Sequence, residues 1–167
     1  MTLGAIETDR PMIEVRPATP PDIPALGRLM AELLVHYDMA GPDEAEVAKA
    51  LAAQMPRVEF LLAFERDDLL GFASFSPLFP GLGLDPQLYM KDLYVAAAAR
   101  GCGVARALMC ALARTAIARG CVRIDWTTDR DNLQAQAAYK ALGAVRLEER
   151  VYYRLDEEAI ARLADVA

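Results

Sequence analysis

The residues best suited to bind a charged ligand form the run Arg100-Gly101-Cys102-Gly103-Val104-Ala105, which lies between a predicted strand and a predicted helix. Small residues let the backbone approach a ligand closely, and free N–H groups at the start of a helix attract an anion. The run therefore indicates a site for a phosphate group, and a pyrophosphate is the expected ligand. The alternative is a tight turn that only joins the strand to the helix.

A dinucleotide-binding fold is a second interpretation of the same glycines, because Asp125 lies at a suitable distance downstream to bind a ribose. The position of the third glycine is Arg106, which is too bulky for close packing of helix against strand. Too few residues follow for a second mononucleotide-binding half. The sequence therefore argues against this fold.

A polar residue and an aromatic residue share one face of the next predicted helix. Asn132 and Tyr139 are seven residues apart, which is two helical turns and about 10 Å along the axis. One thin, extended ligand could contact both side chains. The alternative for Tyr139 is an aromatic side chain that anchors the helix to the sheet.

Two neighbouring charged residues, Lys91 and Asp92, lie in a strand-like run. Successive residues of a strand point to opposite faces of the sheet, so we expect Asp92 on the face opposite Lys91. Asp92 could bind a substrate or hold a strand end, and the sequence leaves both roles open.

The end of the first predicted helix could bind a cation. Tyr37 offers an aromatic face and Asp38 a carboxylate, and both attract positive charge. The neighbouring His36 could act as a base at neutral pH. The alternative for all three residues is a solvent-exposed helix end without such a function.

The glycine-rich run resembles the signature of the GNAT superfamily of acyl-CoA-dependent N-acetyltransferases, which is Arg or Gln, two residues, Gly, one residue, Gly or Ala. Arg100, Gly103 and Ala105 match it. The strand 88–95, the helix that contains Asn132 and Tyr139, and both ends of the fold are also similar. The resemblance covers roughly residues 12–155.

The resemblance implies direct transfer of an acetyl group from acetyl-CoA to a primary amine, without a covalent acyl-enzyme and without a metal. Tyr139 is then the catalytic residue, because its hydroxyl lies beside the thioester sulfur and donates a proton to the leaving thiolate; a phenol stays protonated at neutral pH. Asn132 contacts the pantetheine chain. The implied residues that bind the co-substrate are Leu93, Tyr94, Val95, Arg100, Gly101, Cys102, Gly103, Val104, Ala105 and Asn132. Cys102 replaces a Lys or Arg that is frequent in relatives.

Within the superfamily the sequence is most similar to the diamine and thialysine N-acetyltransferases, which implies a small-molecule amine acceptor and a homodimer. Tyr37, Asp38 and Asp92 are the implied substrate-binding residues. Lys91 stands where that subgroup usually has Glu, and Arg150 where it often has Trp. An amino acid, an aminoglycoside or a protein lysine are other acceptors. A non-catalytic module that senses acyl-CoA is the alternative from another class.

The elements that must position these residues follow the order β-α-α-β-β-β-α-β-α-β-α. This order predicts one mixed sheet covered by helices, of the α/β or α+β class, and the resemblance implies a mostly antiparallel sheet. The predicted strands are 13–16, 58–64, 69–75, 88–95, 121–127 and 146–155. We assign 12–167 to a single N-acetyltransferase domain and leave the leader 1–11 out of the fold.

Composition limits the possible functions. The chain has 167 residues, of which 54% are apolar and 25% charged, and these values indicate a globular domain with a sizeable core. No apolar run approaches the roughly 18 residues that span a bilayer. The formal net charge of −6 argues against a nucleic-acid partner and favours a cationic or small neutral one.

The cysteine and histidine content bears on metals and on location. Three cysteines, without a Cys-x-x-Cys pair, and one histidine argue against a zinc site. We interpret the cysteines as reduced thiols of an intracellular protein. Residues 1–11 have neither a basic start nor an apolar core of an export signal, so the expected location is the cytoplasm.

Overall fold

The computed structural model describes residues 12–37, 39, 41–55 and 57–165. Its contacts divide the chain into two units, one that ends at Thr127 and one that begins at Thr128. The first unit contains β1 (Ile13–Pro17), α1 (Ile23–His36), α2 (Glu44–Gln54), β2 (Glu59–Glu65), β3 (Asp68–Leu78), β4 (Gln87–Val95), α3 (Val104–Ala118) and β5 (Ile124–Asp125). The second contains α4 (Leu133–Ala141) and α5 (Glu157–Ala164).

The first unit is built on a five-stranded sheet in the order β1-β2-β3-β4-β5. The first four strands pair antiparallel, and β5 pairs parallel with β4 through two residue pairs, Leu88 with Ile124 and Tyr89 with Asp125. Helices flank the sheet. The predicted class, a mixed and mostly antiparallel sheet flanked by helices, is confirmed.

The apolar residues of the sheet pack on both of its faces. One face packs against α3, which is buried at Val104, Leu108, Ala111 and Leu112. The other face packs against α1 and α2 through Phe60, Phe72 and Tyr94, among others. Strand residues therefore point alternately to the α3 side and to the α1–α2 side.

An ion pair fixes the connection from β1 to α1. Arg16 donates two hydrogen bonds of 2.7 Å each to the two carboxylate oxygens of Asp22, which also accepts from the backbone N–H and the hydroxyl of Thr19. Donors around a carboxylate favour its charged form, so Arg16, followed by Thr19, lowers the pKa of Asp22 despite its burial. Thr19 and Asp22 also form a capping box in the turn that precedes α1.

A second bidentate pair ties the end of α3 to the start of β2. Both terminal nitrogens of Arg119 lie 2.6 Å from the carboxylate oxygens of Glu59, and this contact lowers the pKa of Glu59. Gly120 follows the end of the helix, and its φ of +66° favours glycine.

The predicted final strand, 146–155, is wrong. These residues are described, yet none of them lies in a strand, and Val151, Tyr152, Tyr153 and Leu155 are exposed. Their types favour a strand, but a strand forms only where a neighbouring backbone supplies hydrogen-bond partners, which a pattern along the chain does not reveal. The strand predicted over 121–127 is likewise reduced to Ile124–Asp125.

Candidate active site

The glycine-rich run forms an exposed turn that leads into α3. Gly101 and Gly103 have φ values of +78° and +88°, which side chains other than glycine rarely adopt. A Cβ built on either residue meets no described atom within 4 Å. The backbone of the turn is therefore open to a ligand.

The start of α3 is arranged to receive an anion. Gly103 is its N-cap and has no side chain that could accept from the N–H groups of the first turn, and the first turn contains no acidic residue. Val104 is buried in the core and Ala105 is half-buried. These two residues can therefore contribute mainly backbone groups, whereas Cys102 presents an exposed thiol.

The side chain of Arg100 folds back toward the end of β4. Its Nε donates to the carbonyl oxygen of Val95 at 3.3 Å, and its guanidinium lies 6.0 Å from the centre of the Tyr94 ring. Arg100 thus contacts the end of β4, the strand that contains the expected co-substrate-binding residues Leu93, Tyr94 and Val95.

The end of β4 offers backbone groups along one edge. β4 pairs with β3 along its length, but beyond Tyr89 its other edge has no strand partner among the described residues. The Tyr94 side chain is 7% exposed and packs against Phe72, so it is a core residue. On this edge Leu93, Tyr94 and Val95 offer backbone groups to a ligand, and the side chains of Leu93 and Val95 are half-buried.

β4 carries an extra residue at Lys91. Ser74 pairs with Asp92 and Phe75 with Met90, so Lys91 has no partner in β3 and forms a β-bulge. The bulge interrupts the alternation that we expected to separate Lys91 from Asp92, and Lys91 Nζ lies 3.5 Å from Asp92 Oδ1. The prediction that Lys91 and Asp92 point to opposite faces of the sheet is therefore wrong.

Ser74 is a partner of Asp92 that sequence analysis missed. Its hydroxyl lies 2.7 Å from Asp92 Oδ2 and 3.1 Å from the Asp92 backbone nitrogen. A serine inside an apolar strand gives no signal by itself. Only the register of β3 against β4, with the bulge included, brings the two residues opposite each other.

The predicted cation site at the end of α1 is described in part. Tyr37 is exposed and its ring lies edge-on to His36, at 5.5 Å between ring centres. Asp38 lies outside the described residues. His36 lines a cleft of about 610 Å³. Its lining residues, taken from α1, α2 and the end of β4 with the turn that follows, are Arg28, Ala31, Glu32, Val35, His36, Glu44, Tyr94, Ala97 and Arg100.

In the second unit, Asn132 and Tyr139 occupy the same helix, as predicted. Asn132 is the N-cap of α4, and its Oδ1 accepts from the backbone N–H of Ala135 at 3.1 Å. Gln136 donates to the carbonyl oxygens of Asp129 and Arg130 and so fixes the same helix end. The Asn132 oxygen therefore has a structural role that the sequence did not predict. Tyr139 is half-buried.

The described residues contain neither a cluster of metal ligands nor a helix suited to a membrane. No group of three or more His, Cys, Asp or Glu side chains in 12–37, 39, 41–55 and 57–165 could hold a metal ion. In the same part of the chain, no helix has both the length and the apolar character needed to span a bilayer.

Comparison with known families identifies the fold. A profile of the acetyltransferase (GNAT) family matches residues 28–144. The chain belongs to the GNAT family of acetyltransferases. The matched range includes the glycine-rich turn, the bulge of β4 and α4, and the predicted superfamily is thereby confirmed.

Several solved structures resemble the chain over most of its length. An integron cassette protein from the mobile metagenome of V. cholerae is 32% identical, with a TM-score of 0.83 over 91% of this chain and 97% of that one. A probable acetyltransferase is 27% identical, with a TM-score of 0.77 over 86% and 97%. The aminoglycoside N-acetyltransferase AAC(6')-Iy in complex with CoA is 24% identical, with a TM-score of 0.71 over 86% and 95%. No curated protein matches the chain.

Proposed function

We propose that this GNAT protein transfers an acetyl group from acetyl-CoA directly to the primary amine of a small molecule. The observation that carries the proposal is the start of α3, where two glycines in left-handed conformation precede a helix with no capping side chain and no acid in its first turn. Such a helix end stabilises a pyrophosphate. A CoA complex of a structural neighbour supports the choice of co-substrate.

The turn from Arg100 to Ala105 binds the pyrophosphate, chiefly through backbone N–H groups. The free edge of β4 at Leu93, Tyr94 and Val95 binds the pantetheine arm through its backbone, and the amide of Asn132 contacts the same arm. Acetyl-CoA supplies an activated acyl group whose carbonyl carbon an amine can attack. Positioning the amine beside that carbon supplies much of the rate increase.

Tyr139 acts on the leaving group. The acceptor ammonium first loses a proton to water, and its nitrogen then forms a bond to the carbonyl carbon as the carbon–sulfur bond breaks. As the amide forms, its nitrogen releases a second proton to water, while the phenol of Tyr139 gives its proton to the thiolate sulfur and regains one from solvent. The products are the N-acetylated amine and CoA thiol. A phenol is suited to this step because its ordinary pKa near 10 keeps it protonated at neutral pH.

The proposed acceptor is a small cationic amine, with Tyr37, Asp38 and Asp92 as its binding residues. The net charge of −6 is consistent with a cationic partner. The diamine and thialysine subgroup is the finer form of the proposal, and Lys91 and Arg150 depart from it. We also propose that the protein works in the cytoplasm, consistent with its three free thiols, and as a homodimer.

Release of CoA thiol from acetyl-CoA over a panel of amines tests the proposal. The panel comprises monoamines, diamines, amino acids and an aminoglycoside, with calorimetry of CoA binding alongside. We expect CoA to bind and at least one small amine to raise thiol release well above the amine-free rate. Binding without turnover on any amine would instead indicate a non-catalytic acyl-CoA sensor, and absence of binding would overturn both.

A further inference from the structure

The bulge in β4 gives Asp92 an environment that its sequence neighbours do not predict. Leu88 and Met90 pack on the α3 side before the bulge, and Leu93 and Val95 pack on the same side after it. The extra residue shifts the alternation of side chains by one position. Asp92 therefore points to the α1–α2 side, where it is the direct partner of Ser74 in β3. A bulge is a common device for re-aiming a side chain next to an active site.

The hydroxyl of Ser74 makes both of its hydrogen bonds to Asp92. Ser74 is 2% exposed; its Oγ donates to Asp92 Oδ2 at 2.7 Å and accepts from the Asp92 N–H at 3.1 Å. A buried hydroxyl with both functions used by one residue fixes that residue in place. Ser74 therefore holds one carboxylate oxygen and the backbone of Asp92 together.

The second carboxylate oxygen is bound differently. Lys91 Nζ lies 3.5 Å from Asp92 Oδ1, and the two side chains are 73% and 26% exposed. An exposed ion pair contributes little free energy, so another cation can displace Lys91 at low cost. Oδ1 is thus a site for one ammonium, occupied by the protein's own lysine.

We infer that Ser74 is a positioning residue, which orients Asp92 so that Oδ1 binds the ammonium of the acceptor in place of Lys91. The inference rests on the proposed function and narrows its substrate class. The displaced Lys91 ammonium stays attached to the neighbouring residue and repels a second positive charge on the acceptor. The acceptor is therefore a primary amine without a second positive charge near the reacting nitrogen, and this inference replaces the diamine form of the proposed acceptor.

Steady-state kinetics of Ser74→Ala and Ser76→Ala test the positioning role. Ser76 lies two residues further along β3, and its hydroxyl donates to the carbonyl oxygen of Arg57 without contacting Asp92. We expect Ser74→Ala to raise the KM for the amine about tenfold while the KM for acetyl-CoA stays unchanged. Ser76→Ala should leave both values unchanged, and Ser74→Thr, which keeps the hydroxyl, should restore part of the loss.

The variant Lys91→Met tests whether the Lys91 ammonium repels a second positive charge on the acceptor. Lys91 is exposed, so this test remains possible even if Ser74→Ala does not fold. We expect the ratio of kcat/KM for a diamine over a monoamine of the same length to rise at least about threefold. An unchanged kcat/KM ratio in Lys91→Met would overturn the inference, and so would a Ser74→Ala variant in which the KM values for the amine and for acetyl-CoA rise equally. In either case wild-type turnover would still support the proposed function. A wild-type protein that turns over no amine would overturn the proposed function itself.

Discussion

At the scale of single residues, the phenol of Tyr139 is the group whose removal should change the reaction rate most. Tyr139→Phe deletes one oxygen, and we expect kcat to fall about 100-fold or more because the thiolate then leaves without a proton donor. CoA affinity, measured by calorimetry, should stay the same. The matched control is Tyr153→Phe, at a tyrosine of the same unit that is 86% exposed. Equal kcat in Tyr139→Phe and wild type would show that Tyr139 is not the donor.

A second residue-scale prediction concerns stability and acid. The Arg16–Asp22 pair lowers the pKa of Asp22. The stabilisation that this pair gives the folded state is therefore fully present above the ordinary pKa of an aspartate, near 4, and is lost as the pH falls below that value. Asp22→Asn should lower the free energy of unfolding by about 1–3 kcal/mol at pH 7.

Urea denaturation at several pH values measures this effect. The difference in the free energy of unfolding between wild type and Asp22→Asn should decrease as the pH drops below about 4. Asp67→Asn, at an exposed carboxylate in the turn between β2 and β3, should cost little at any pH. A gap that stays constant down to pH 2 would mean that the ion pair is not its source.

At the scale of elements, the sequence located nearly every helix and strand of the first unit. Leu26, Met30 and Leu33 recur with helical spacing, and Leu26 and Leu33 are buried, so the apolar pattern was sufficient to predict α1. The bulge at Lys91 was not predictable, because it depends on how β4 is registered against β3. The Ser74–Asp92 contact was missed for the same reason.

The two ends of α3 allow a matched test of the proposed pyrophosphate site. Gly103 precedes the helix and Gly120 follows it; both have positive φ, and a Cβ on either meets open space. Gly103→Ala and Gly120→Ala should therefore lose similar stability, about 1–2 kcal/mol each.

Only Gly103→Ala should weaken CoA binding, by about tenfold, because its new methyl group and altered backbone lie at the amides that bind the pyrophosphate. Calorimetry with CoA, run beside thermal unfolding of both variants, separates the two effects. Equal CoA affinity in the two variants would contradict a pyrophosphate site at the start of α3.

At the scale of the whole molecule, sequence reasoning was least successful after Thr128. The run Val151-Tyr152-Tyr153 has the residue types of a strand, yet it forms none in the described structure and its side chains are exposed. The residue types favour a strand, but strand pairing depends on backbone partners elsewhere, including any on a second chain. In the expected homodimer, a second chain could supply the contacts that this segment lacks.

Exposed apolar residues close together in sequence are typical of protein interfaces, and Val151, Tyr152, Tyr153 and Leu155 are all exposed. If they form the homodimer contact, the double variant Val151→Asp and Tyr153→Asp should sediment as a monomer at concentrations where the wild type is a dimer, because a buried carboxylate without a partner opposes association. Ile117→Asp, at an exposed apolar residue of α3, should leave the dimer intact. A double variant that remains dimeric would place the contact elsewhere, and a wild type that is monomeric at tens of micromolar would refute the homodimer.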